Sequence, residues 1–189
     1  MDIIDAVEKE VKEKIKEYKL HADDHFDYWN EHIKYVYKEA QNLASQHGAD
    51  MEIVKLGALL HDIAMICEVG TKKDHHINGK KIAEEMLKKY NYPEEKLNRV
   101  LSCIYNHRSS KNATNIEDLC VADADIIAHF NNIPMLFDMA FNIYKINLND
   151  VRNWMKDSFE KDYNDLSDKT KENFKDRYKQ ICEIVLGEY

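Results

Sequence analysis

The sequence predicts an all-α protein, folded as a single-domain helical bundle. Only two prolines and five glycines interrupt 189 residues, of which 44% are hydrophobic and 33% charged, so long soluble helices can run without breaks. In stretch after stretch the apolar residues recur every three or four positions, which lines one face of a helix. A chain of this length buries a substantial core and is most simply one domain, residues 1–189.

Charge and cysteine usage narrow the partners. Lys and Arg number 27 against 35 Asp and Glu, a formal charge of -8, which argues against a broad nucleic-acid surface and leaves room only for a local basic pocket. Long DNA or RNA is a poor partner. Cys67, Cys103, Cys120 and Cys182 are widely spaced with no Cys-x-x-Cys pair, as expected for reduced thiols in a cytosolic protein. The start, Met1 to Asp5, is too charged for a signal peptide, and no run of about 18 apolar residues spans a membrane. The expected location is the cytoplasm.

Taken in order, residues 2–19 form an amphipathic helix with Ile3, Ile4, Val7, Val11, Ile15 and Tyr18 as its stripe, packed on the remainder. The polar, aromatic run from Leu20 to Asn30 breaks that pattern. A second helix is expected from about Asn30 to Gln46, with Ile33, Val36, Ala40 and Leu43 inward and His32 one turn before Val36 on the same side. Gly48 stops it, and Asp50 caps the next. That third helix carries Leu56, Leu59, Leu60 and Ile63 on its buried stripe, with His61 and Asp62 at or beside the stripe, and fades near Glu68 to Gly70. After the loop Thr71-Lys72-Lys73 comes Asp74-His75-His76, then a helix through Gly79, Ile82, Ala83, Met86 and Leu87 to the Asn91-Tyr92-Pro93 turn. From about Glu94 to His107 a helix buries Leu97, Val100, Leu101 and Ile104, which sets His107 one turn beyond Ile104. Asn115 caps a helix through Ala128 that embeds Asp123 and Asp125 among small and apolar residues. Pro134 marks a turn, Val151 to Tyr163 is mixed, and a last helix follows Asp168 with Phe174, Tyr178, Ile181 and Val185 inward.

Buried carboxylates and imidazoles need compensation. A divalent cation shared by His61 and Asp62 would remove much of the cost, but neighbouring helical residues diverge by about 100°, so other helices must supply the remaining ligands. His32, His107 and Asp123/Asp125 face inward, and His75/His76 open a helix. Nitrogen and oxygen donors without thiolates suit Mn, Fe, Co, Ni, Zn or Mg rather than a structural zinc. Alone, any one such histidine is more often a hydrogen-bonded core residue than a ligand.

The phrases Trp29-x-x-His32-x-x-x-Val36-x-x-x-Ala40, Leu59-Leu60-His61-Asp62-Ile63, His75-x-x-x-Gly79-x-x-Ile82-Ala83, Ile104-x-x-His107 and Ala124-Asp125-Ile126-Ile127 carry a resemblance. In this order they resemble the HD superfamily of metal-dependent phosphohydrolases, over roughly residues 25–185. The resemblance implies an HD-type helical bundle in which His32, His61, Asp62 and Asp125 ligate one metal ion, with Asp123 as a supporting partner. Some members hold a second metal or contact phosphate through further histidines, and His75 and His107 occupy those places here, with His76 the substitute for His75. Asp62 would ligate and orient the attacking water; His75 or His107, if not ligands, would donate a proton or stabilise negative charge. Lys80 and Arg108 are candidate phosphate contacts by charge and placement, although such residues on helices are usually solvated.

Other residues have plainer readings. Tyr28 and Trp29 line a pocket or, more simply, pack; His21 and His25 are expected at the surface; His47 and His129 have no supporting pattern. The implied substrate is a small phosphorylated molecule, in the first place a nucleotide. The alternatives are a metal-containing domain that binds ligand without catalysis and a two-metal phosphodiesterase. Oligomeric state is left open.

Overall fold

The computed structural model describes residues 2–21 and 26–187, and among them the architecture is all-α. The expectations for His25 and for the His21 side chain fall outside what is described. No helix among the described residues is long and apolar enough to cross a membrane.

Helix α1 (Ile3–His21) buries Val7, Val11, Ile15 and Tyr18 and lies across α3 (Met51–Leu60) and α4 (Ile63–Ile66). Asp27 fastens the following segment: its carboxylate accepts from Lys19 Nζ at 2.8 Å and from the Asn30 backbone at 3.1 Å. Burial alone would raise its pKa, but these bonds hold it down at about 2. Tyr28 meets Phe26 edge-on at 4.8 Å, and Lys12 stands over the Trp29 ring at 3.8 Å, so these aromatics pack.

The second helix departs from expectation at its start. Trp29–Ile33 is a π-helical turn that runs into α2 (Lys34–His47). The sequence neighbours His32 and Ile33 within it are both buried. Gly48 closes α2 at φ 69°, a left-handed conformation that costs glycine little. Asp50 caps α3, accepting from the Glu52 and Ile53 backbone amides.

The third helix is not continuous. It stops at Leu60, turns through His61 and Asp62 (φ −104°, ψ 16°), and restarts as α4. The Ala58 carbonyl is taken by the His61 ring rather than left wholly to the backbone ladder, so the side chain competes with the helix that carries it.

Helices α5 (His75–Lys89) and α6 (Glu94–Asn106) pack as a pair, α5 against α4 and α6 against α3. Asn115 accepts from the Asp118 amide at 2.8 Å and opens α7 (Ile116–Asn131). Almost every side of α7 is buried, because it packs on α2, α3, α6, α8 (Ile133–Asp138), α9 (Val151–Asp165) and α10 (Asp168–Leu186). Pro134 lies in the first turn of α8, where its missing N–H costs nothing, rather than in an open turn.

Two glycines separate close approach from helix preference. A Cβ on Gly57 would stand 2.8 Å from Cys103 Cβ and 3.1 Å from Val121, so the contact of α3 with α6 and α7 depends on its absence. At Gly79 the nearest atoms would be 3.4 and 3.5 Å away. Gly57→Ala is expected to lose about 1–3 kcal/mol in chemical denaturation through overpacking, and Gly79→Ala to be neutral or to gain up to about 1 kcal/mol. Asp27 adds stability fully present above its unfolded value of 3.8 and lost as pH falls through about 2. The melting temperatures of wild type and Asp27→Asn should therefore converge on acidification through that window.

Candidate metal centre

Helix ends position the central histidines. His61 closes α3, His75 opens α5 and His107 closes α6. Each turns Nδ1 onto the carbonyl three residues earlier: Ala58 at 2.7 Å, Lys72 at 2.8 Å and Ile104 at 2.7 Å. A carbonyl only accepts, so each Nδ1 carries the hydrogen and each neutral ring keeps its lone pair on Nε2.

The Nε2 atoms converge on Asp62. His32 Nε2 and His61 Nε2 lie 3.0 Å apart and stand 3.5 and 3.6 Å from Asp62 Oδ2. On the other carboxylate oxygen, Oδ1, His75 Nε2 lies at 3.3 Å and His107 Nε2 at 3.8 Å, with 2.8 Å between the two nitrogens. Asp125 Oδ1 approaches His32 Nε2 to 3.1 Å and His61 Nε2 to 3.7 Å. His61 and His107 are almost wholly buried, and His32 and His75 nearly so.

This donor set fits a cation. His75 and His107 present lone pairs to each other at hydrogen-bond distance, which is repulsive unless positive charge lies between them. Burial and the neighbouring His61 work against a proton on His107, pushing its pKa down to about 4. Burial by itself would raise Asp62 and Asp125, yet the surrounding imidazoles, chiefly His61 for Asp62 and the hydrogen bond from His32 for Asp125, hold both below the usual carboxylate range. His32, His61 and Asp62 form one group able to hold an ion, and Asp62, His75 and His107 form another.

Among the further candidates, Asp123 differs from expectation. It is fully buried but lies outside the cluster: its carboxylate accepts from the Ser110 hydroxyl, the Ser167 hydroxyl and the Ser167 amide. Two residues along a helix point about 200° apart, so Asp123 and Asp125 cannot serve one centre. His76, the substitute considered for His75, packs on Tyr105 at 5.4 Å and lines a hollow of about 430 Å³ with Arg108, Asn106, Ser109 and Asn112. Arg108 donates to the Lys73 carbonyl at 2.9 Å, and Lys80 stands 5.4 Å above the Tyr105 ring. Asn106 donates to the buried Asp118, which ties the end of α6 to α7 beside His107.

One residue was passed over. His129 stacks on His32 with ring centres 5.9 Å apart, and its Nδ1 meets Asp162 Oδ2 at 2.8 Å. Burial opposes charge on this ring, but the Asp162 hydrogen bond and charge outweigh it and raise its pKa. Its spacing, four residues after Asp125 on one helix face, is the signal that could have found it.

The model of the HD domain matches residues 29–129, just over half of the chain, from Trp29 before His32 to His129 itself. The chain belongs to the HD domain family. Over 98 residues this HD protein is 36% identical to ribonuclease Y of Treponema denticola, covering 52% of the chain but 18% of that relative. Ribonuclease Y of Treponema pallidum matches at 36% over 97 residues, covering 51% and 18%. An uncharacterized protein of Clostridium beijerinckii matches at 33% over 70 residues, 37% of this chain and 45% of that one. The chain thus spans less than a fifth of the ribonuclease Y length. The crystal structure of a predicted HD superfamily hydrolase from an uncultured Thermotogales bacterium superposes with a TM-score of 0.57 at 22% identity, covering 80% of this chain and 84% of the other. That likeness establishes a shared all-α fold.

If the cluster holds cations, ions should stabilise the folded state. Adding Mn²⁺, Co²⁺ or Zn²⁺ at about a hundredfold excess over its dissociation constant to chelator-treated protein should contribute about 3 kcal/mol, a rise of roughly 5–10 °C in melting temperature. His61→Ala should abolish most of that rise in differential scanning fluorimetry.

Proposed function

We propose that this HD protein is a metal-dependent phosphohydrolase acting on a phosphate ester or anhydride of a small molecule, a nucleotide in the first instance. The observation that carries the reading is the set of lone pairs around Asp62, which asks for positive charge inside an otherwise apolar core. In this reading His32, His61, Asp62 and Asp125 would hold one divalent ion, and His75 and His107 would hold a second where two are bound. A bound divalent cation supplies an acidified water and neutralises charge on the phosphoryl oxygens.

The protein's own groups do the rest. Asp62, kept ionised, accepts a hydrogen bond from the attacking water and orients it. The backbone carbonyls of Ala58, Lys72 and Ile104 fix the ring orientations, so the donor set is preorganised at no cost during reaction. His75 and His107 act in this reading as ligands, since each ties Nδ1 to a backbone carbonyl and turns Nε2 toward Asp62. Arg108, which lines the hollow beside His76, and Lys80, over the Tyr105 ring, remain candidate phosphate contacts. The net charge of -8 supports a small diffusible anion over a polymer.

A second reading, phosphodiester hydrolysis with two metals, is favoured by the way Asp62 faces a histidine pair on each oxygen. The name ribonuclease Y also attaches phosphodiester cleavage to relatives of the matched stretch.

Metal analysis joined to a screen of nucleoside mono-, di- and triphosphates, pyrophosphate and phosphodiesters separates these. Phosphate or pyrophosphate release that falls by about 10³-fold or more in Asp62→Ala supports the phosphohydrolase. Diester cleavage with two ions per chain supports the second reading. A metal-loaded protein inert across the panel would overturn both in favour of a ligand-binding domain.

A further inference from the structure

The C-terminal part of the chain reaches the centre at one point. Helix α9 carries Asp162 to His129, on the last turns of α7, and the contact lies directly behind His32. A carboxylate can only accept, so the 2.8 Å contact fixes the hydrogen on His129 Nδ1 and leaves Nε2 as the ring's remaining donor atom. One ligand atom each from His32, Asp125 and His129 lies within 4.8 Å of the others. A carboxylate that holds one nitrogen of an imidazole while the other is free is the arrangement that orients metal-bound histidines and raises their basicity. His61, His75 and His107 use backbone carbonyls for the same purpose; His129 uses a charged group from a different helix.

We infer that His129 is a metal-binding residue, offering Nε2 to the cation on the His32 and Asp125 side of the centre, with Asp162 as its positioning residue. The inference rests on the reading that His32 and Asp125 hold a cation and adds to that set a ligand outside the motif phrases. It also gives α9 a purpose beyond packing, since the helix supplies the group that sets the ring.

Binding of Co²⁺ to the chelator-treated full chain tests it without any substrate. Equilibrium dialysis gives stoichiometry and affinity, and the visible absorption of Co²⁺ reports its ligands. The variants are His129→Ala, His129→Phe, which keeps a ring against His32 without a donor, and Asp162→Asn. Both His129 variants are expected to weaken one Co²⁺ by about tenfold or more and to alter the spectrum, with Asp162→Asn losing affinity by at least a few-fold in the same direction. If His129→Phe binds as many ions with the same affinity and spectrum as wild type, the inference is overturned and the stack on His32 is packing alone. Failure of the wild type to bind Co²⁺ would instead overturn the metal centre itself.

Discussion

Imidazole lone pairs directed at one another around a partly buried carboxylate set the terms for the rest of this molecule. Each backbone hydrogen bond at Nδ1 commits a histidine to offering its other nitrogen inward, and three such rings, His61, His75 and His107, join His32 around Asp62 and Asp125. Repulsion among unshared pairs grows as the dielectric falls, so the apolar packing that stabilises the bundle also sharpens the demand for a positive charge at its centre. Core and site are therefore one construction.

The donors occur where the helices are irregular. His32 lies in a π turn, His61 and Asp62 in the break between α3 and α4, His75 at the first residue of α5 and His107 just past the last residue of α6. Helix interiors consume their carbonyls in the backbone ladder, whereas ends and breaks leave carbonyls for a side chain to use. A histidine there can be anchored by its own local backbone, three residues away, without help from another element. Asp125, in the regular interior of α7, has no such anchor and is held by His32 across the interface of α2 with α7.

The C-terminal helices are tied to this centre by polar groups as well as by apolar contact. Asp123 holds Ser110 and Ser167, Asp165 accepts from Ser109 and pairs with Lys111, and Asp162 holds His129. The loop between α6 and α7 and the junction of α9 with α10 thus share carboxylates. Fully buried and matched by donors on both oxygens, Asp123 is a fastening, and its acidic character belongs to the architecture rather than to the cluster.

Much of this was legible in the residues themselves. The apolar stripes of α1, α2 and α6 gave their inward faces, Asp50 and Asn115 gave two helix starts, and the ordered phrases around His32, His61-Asp62 and Asp125 gave the family. Periodicity is a local property of the chain, and for those elements local preference and tertiary packing agree. It could not show that the helix of His61 breaks, because the break comes from a side chain competing for a backbone carbonyl. Nor could it separate Asp123 from Asp125 or His75 from His76, since adjacent positions on a helix share composition and differ only in the direction their neighbours impose. The spacing of His129 after Asp125 put the two on one helix face, but its contact with Asp162, across 33 residues, is one that no spacing rule contains. The sequence by itself determined an all-α chain, its buried faces and a pool of oxygen and nitrogen donors; the tertiary structure decided which of them converge, because convergence is set by the angles at which separate helices cross.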